Sequence, residues 1–429
     1  MFRKTIKAIF GAILATPIAL MALADDKVTI TVWSMDGHDL GNEDTHRQVI
    51  AAFEAAHPNI KIDLTLLPES GLEDRMNTAI GAGGKLPDVF PLISGEWAPI
   101  ALDLSPYIEA DPELSQDMYA EPFWRTRATF GDSVVALPTG IGANVVLYNK
   151  DVFDKAGVEY PTADFTTEDF IKKAVAITDK ANGVWGGDRP RDAYRAIWHN
   201  YDAQVYSDDS TTVEGYHNSP QSLAAYQWYW DLVQSDATPT KAEIDVLGTE
   251  GTGPVDLFIA GRLGMATLNQ SHMLRALKEG VNFGMVPEPA GPSNDRHANA
   301  WSATPAIAGN SEHPQEAYEF LSFWAGMEGQ YISMTTGLNM FPSIPALWKD
   351  HPYIDHPAIQ TFKTTLDWPL VRDFDGTHLC WRAALRRVDE VYELIGLKAI
   401  ERNEIKKALD KEVVVLQTAL DDCVSRLGS

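Results

Sequence analysis

Three glycines and a lysine fall together at Gly81, Gly83, Gly84 and Lys85. No other stretch of the chain looks as much like a phosphate cradle. A P-loop requires G-x-x-x-x-G-K-[ST] between a strand and the helix it opens. Here Lys85 is followed by Leu86, so the metal-ligating hydroxyl is missing. The surrounding pattern also runs helix then strand, and a helix C-terminus offers carbonyls and a negative dipole end. The stretch is expected to end a helix, with Gly81, Gly83 or Gly84 in the left-handed cap. A second chemical resource is the set of twelve tryptophans, several of them in expected loops rather than on apolar stripes. Trp228, Trp230, Trp324 and Trp348 lie on helices or beside prolines and read as packing residues. Arg189, Arg191 and Arg195 form a basic cluster, which either pairs with Asp188 and Asp192 or grips an anionic ligand through bidentate guanidinium contacts. There is no G-x-S-x-G, no H-E-x-x-H and no metal-ligand spacing, so no catalytic residue, metal or cofactor is expected.

The elements that must position these groups can be read in order. Residues 27–33 (KVTITVW) alternate as a strand, 42–57 carry helical spacing up to Pro58, and 60–66 alternate again. Ser70 with Glu73 suggests a capping box for the next helix, and Val89-Phe90 a third short strand. This is βαβαβ, an open parallel α/β pattern whose ligands sit at the carboxyl ends of the strands. The turn after Trp33 and the loop after Phe90 are therefore the first places to look for a site. Further along, residues 134–148 read as two extended runs, Thr166 and Ser219 as helix caps, and 405–420 as the last amphipathic helix. No internal repeat or low-complexity tract interrupts the pattern.

Composition bounds the partners. The 429 residues carry a formal net charge of −25, a field that repels phosphate backbones and anionic lipid heads. Arg3, Lys4 and Lys7 precede an apolar run from Ala8 to Leu20, and Ala22-Leu23-Ala24 supplies small residues for cleavage. Residues 1–24 are thus expected to be a secretory signal, cut after Ala24, that delivers the chain to the periplasm. Cys380 and Cys423 are the only cysteines. In an oxidising compartment they are either disulfide-bonded or two buried thiols.

Six segments in register resemble the solute-binding proteins of ABC importers, specifically the maltose-binding-like group. They are FEAAHPNIKIDL (53–64), IGAGGKLPDVF (80–90), LYNKDVFDKAGV (147–158), FIAGRLGMA (258–266), HPQEAYEFLSFW (313–324) and TGLNMFPSIPAL (336–347). The resemblance implies the type II periplasmic binding protein fold, two α/β lobes with three inter-lobe crossings and a ligand cleft between. It places the crossings near residues 140–142, 284–286 and 341–343. The lobes become 25–140 plus 286–341, and 142–284 plus 343–429. A carbohydrate ligand, permease subunits as partners and a monomeric state follow, without nucleic acid.

Sugars present C–H patches to aromatic rings and hydroxyls to planar polar groups. On the family pattern, Trp33, Asp36, His38, Glu96 and Trp97 are the first-lobe ligand residues. Trp198, Asn200 and Asn269 are their second-lobe counterparts. Trp301, Trp368, Arg372 and Trp381 complete the set. Relatives often place a tryptophan just beyond Asn269, where this chain has Gln270-Ser271-His272. A periplasmic glycoside hydrolase, or a binder of polyamines or glycerol phosphoesters, is the competing reading.

Overall fold

The computed structural model describes residues 27–35, 42–189, 198–240, 242–244, 253–293, 296–336, 341–370, 380, 383, 388 and 390–427. The expected signal, residues 1–24, lies outside them. Ten strands are formed by the described residues: Val28–Met35 (β1), Ile60–Leu67 (β2), Val89–Pro91 (β3), Thr129–Phe130 (β4), Ser133–Val134 (β5), Gly140–Asn149 (β6), Met265–Asn269 (β7), Phe283–Val286 (β8), Ala300–Ala303 (β9) and Pro305–Ile307 (β10).

Alternation in β1 sends Ile30 and Val32 into full burial, as a pleated strand with one apolar face requires. β1 runs parallel to both β2 and β3, and β10 closes the first-lobe sheet antiparallel to β3, giving the order β10-β3-β1-β2. The helix Asn42–Ala56 packs Phe53 edge-on to Phe320 at 5.2 Å between ring centroids. Asp88 fastens the sheet from below. Its carboxylate accepts from Thr31 N and Oγ1 and from Ser311 Oγ. Burial opposes its ionisation, but these donors hold the carboxyl below its ordinary range.

The second connecting helix starts two residues earlier than the Ser70 capping box implies. It spans Glu69–Gly81 with Pro68 at the N-cap and no side-chain cap bond. Pro68 has the extended backbone of a cap position (ψ 148°), so Ser70 falls inside the first turn. At the other end Gly83 takes φ +59°, and Gly84 N donates to Ala79 O. Lys85 forms an exposed ion pair with Glu312. The glycine stretch is a helix terminus.

In the second lobe β6 lies between β7 and β8, all antiparallel. Thr166 caps the helix Thr167–Ile177 with a complete capping box, and Ser219 caps Pro220–Gln234. The final helix runs to Leu427, beyond the 405–420 seen in the sequence pattern, and buries Leu409, Val413, Leu416 and Leu420. Cys380 and Cys423 are joined in a disulfide against this core.

The lobes meet where three chain passages lie side by side. Residues 140–143 of β6 pair with β9, and Ile141 also bridges Phe341. Residues 283–286 of β8 pair with residues 146–149 of β6, while β9 lies beside residues 140–143. β8 is bonded into the second-lobe sheet, and the segment after it stays there. Ala290 exchanges backbone bonds with Phe165 and Thr167, and Ala298 N donates to Pro369 O. The chain joins the first-lobe sheet at β10.

Candidate ligand-binding site

Parallel strands deliver their loops at one end of a sheet. In the first lobe that end carries Trp33 and the loop after β3. Trp33 is half-buried, with the Arg75 guanidinium carbon 4.2 Å from its ring centroid. Arg75 is a neighbour the sequence pattern did not flag, because a cation over a ring leaves no spacing signal. Glu96 lies in the first turn of the short segment Gly95–Ile100 and accepts from Arg426 Nη2 at 2.9 Å.

Trp97 departs from expectation. It is 2 % exposed among Leu72, Met76 and Phe90. Its Nε1 donates to Asn77 Oδ1 at 3.0 Å. An indole enclosed on its faces and satisfied at its nitrogen is a core residue, not a stacking platform. Trp198 and Asn200 differ from expectation in the same way. Trp198 packs on Tyr226 at 4.9 Å and edge-on to His217. Asn200 Nδ2 donates to Pro289 O, and its Oδ1 accepts from His297 N. Asn200 thus clamps the segment after β8 to the second lobe.

Around the inter-lobe strands the remaining candidates converge. Trp301 is half-buried on β9, directly over Gly142. A Cβ on that glycine would lie 2.4 Å from the indole Cε2, so only glycine permits the ring to sit there. Asn269 faces Asn144 across β7 and β6, and Asn144 N donates to Asn299 O. Asn269 Oδ1 also caps the helix Gln270–Lys278 by accepting from Ser271 N and His272 N. Trp368 adjoins the same passage through the Ala298–Leu370 bridge, with Arg296 5.3 Å from its ring centroid. Trp301, Trp368, Asn144 and Asn269 thus come from four separated segments that adjoin the β6–β9 pairing. Asp36, His38, Arg372 and Trp381 lie outside the described residues, as do Arg191, Asp192 and Arg195.

Beneath this junction are two carboxyls that sequence reading did not single out as a pair. Asp188 and Glu288 are each 2 % exposed. Asp188 Oδ2 accepts from Thr267 N, while its Oδ1 and Glu288 Oε1 have no hydrogen-bond partner among the described residues. Burial pushes the Asp188 carboxyl up to about 7. Burial and then the Asp188 charge push Glu288 well above its ordinary range. Arg189 does not neutralise Asp188, since it donates to Thr238 Oγ1 and Gly396 O. Among the described residues no group of three or more His, Cys, Asp or Glu is arranged to hold a metal ion. No described helix is long and apolar enough to cross a membrane.

Two α/β lobes that meet where β6, β9 and the chain at Phe341 lie side by side have the architecture of maltose-binding-like solute-binding proteins. The chain belongs to the bacterial extracellular solute-binding protein family, whose profile matches residues 41–331. It is 24 % identical to the erythritol/L-threitol-binding protein of Mycolicibacterium smegmatis over 368 residues, 77 % of this chain and 76 % of that protein. It is 23 % identical to the melibiose/raffinose/stachyose-binding protein of Bacillus subtilis, with 70 % of each chain covered. Among solved structures, the ABC substrate-binding protein from Listeria monocytogenes in complex with cycloalternan superposes with a TM-score of 0.78. That match has 21 % identity and covers 94 % of this chain and all of the other.

Proposed function

We propose that this chain is the periplasmic, ligand-capturing subunit of an ABC importer. It binds a sugar or oligosaccharide between its lobes and delivers it to the membrane permease as a monomer. The observation that carries this reading is Trp301, a half-buried indole on a strand that both lobes share. Asn269 and Asn144 lie at the adjoining end of the same sheet. A flat aromatic face beside planar amides suits the alternating C–H and hydroxyl surfaces of a saccharide. Carbohydrate or polyol ligands of the relatives point the same way. Trp33, Trp368 and Asn269, with Asp36, His38, Arg372 and Trp381, are the further contacts we assign to the ligand. The lobes pivot about residues 140–143, 300–303 and 341, and a cleaved leader ending at Ala24 accounts for export.

A hydrolase would need two carboxyls flanking a glycosidic bond. Asp188 and Glu288 form such a pair chemically but are sealed from solvent, which favours binding without turnover. A thermal-shift screen against a saccharide and polyol library tests the proposal. A ligand at 100 times its dissociation constant adds about 2.7 kcal/mol of stability, and thin-layer chromatography of the same mixtures should show no cleavage. Trp301→Ala should weaken the binding of the hit roughly tenfold, the scale of one aromatic contact. A polyamine or glycerol phosphoester that shifts the midpoint when no saccharide or polyol does would exclude the carbohydrate assignment.

A further inference from the structure

Glu96 and Arg426 are 330 residues apart in sequence and join opposite lobes. Glu96 follows β3 at the carboxyl end of the first-lobe sheet. Arg426 is in the last turn of the helix Ile405–Leu427, whose buried face packs into the second-lobe core. The arginine stands on a stiff support. Cys423, one turn earlier and fully buried, is bonded to Cys380. The Glu96 side chain is only 18 % exposed, against 61 % for Arg426, so the carboxylate is mostly shielded where the guanidinium meets it.

The inter-lobe strands are covalent and bend as the lobes move. The Glu96–Arg426 contact is non-covalent and must break when the lobes part. We propose that Arg426 is a positioning residue that latches the two lobes together through Glu96. By biasing the closed arrangement, the latch sets the fraction of molecules competent to enclose ligand, and apparent affinity scales with that fraction. Glu96 thereby acts through lobe closure rather than by touching a hydroxyl. This inference rests on the two-lobed binding reading. Its test uses no ligand, so it stands or fails separately from the carbohydrate assignment.

The measurement is small-angle X-ray scattering of the ligand-free full chain, with circular dichroism confirming that each variant is folded. Arg426→Ala and the near-isosteric Glu96→Gln should each lower the closed-to-open ratio roughly two- to fivefold, the range of a partly shielded ion pair. The radius of gyration should rise accordingly. Exchanging the charges, with Glu96→Arg and Arg426→Glu together, should restore the wild-type value. Arg402→Ala serves as control, because it removes an ion pair with Asp231 that lies wholly within the second lobe, and it should leave the scattering unchanged. Wild-type scattering in both single variants, or equal expansion in Arg402→Ala, overturns the latch.

Discussion

Asp188 and His351 titrate in opposite senses, and each makes a prediction about stability. The Asp188 carboxyl, pushed by burial from an ordinary value of 3.8 up to about 7, is protonated in the folded chain and released on unfolding. Between about pH 4 and 7 the folded state therefore binds more protons, and this contribution to stability is lost as pH rises. His351 is stacked against Phe341 at 4.9 Å, and burial lowers it from 6.5 to about 4. Its contribution is present above 6.5 and is lost as pH falls toward 4. The Asp188 and His351 slopes oppose each other in the shared window, and Glu288, also raised by burial, adds to the Asp188 side, so single variants are needed to see either. Asp188→Asn should gain stability relative to wild type as pH rises through that window, by up to about 1.4 kcal/mol per pH unit. Urea unfolding at several pH values reads the slope. A difference that does not change with pH would count against a proton stored at Asp188.

At the scale of elements, β6 has a dual role. Its first four residues pair with β9, and its later residues pair with β7 and β8. One strand therefore belongs to the passage between lobes and to the second-lobe sheet, and its side chains must suit both. Gly142 is a tight point in its first part, with the Trp301 indole lying where a Cβ would be. Gly142→Ala should destabilise by about 1–3 kcal/mol, as overpacking does. Combining it with Trp301→Ala should recover much of that loss. Thermal melts of the two single variants and the double variant give the coupling. Additive losses would mean that the ring does not press on that glycine. The helix ends behave more locally. Thr166 and Ser219 satisfy their own backbone donors, whereas Pro68 displaces the cap that Ser70 and Glu73 suggest.

For the molecule as a whole, the disulfide and the inter-lobe contacts decide how the second lobe is held. Cys380 and Cys423 close a loop with a sequence separation of 43. Chain-entropy arguments give about 4 kcal/mol for a loop of that length. Reduction, or Cys380→Ser with Cys423→Ser, should lower second-lobe stability by roughly that amount in denaturant titrations. An unchanged midpoint would show that packing of the final helix suffices. Much of this architecture is legible in the amino-acid sequence alone. Alternation at Ile30 and Val32, the Thr166 and Ser219 caps and the glycine terminus all arise from needs met within a few residues: a pleat of period two, an orphan N–H, a positive φ. The six family segments identify the two-lobed fold for the same reason, since each is a short unit with its own local geometry. Burial could not be read this way. The sequence pattern put Trp97, Trp198 and Asn200 on the same footing as Trp301 and Asn269, yet tertiary packing enclosed the first three and left the others half-exposed. The partner of Glu96, the pairing of β9 with β6 and the Asp188–Glu288 pair likewise appeared only when distant segments packed together. Desolvation and contact across hundreds of residues depend on the assembled core, and no spacing within the chain encodes them.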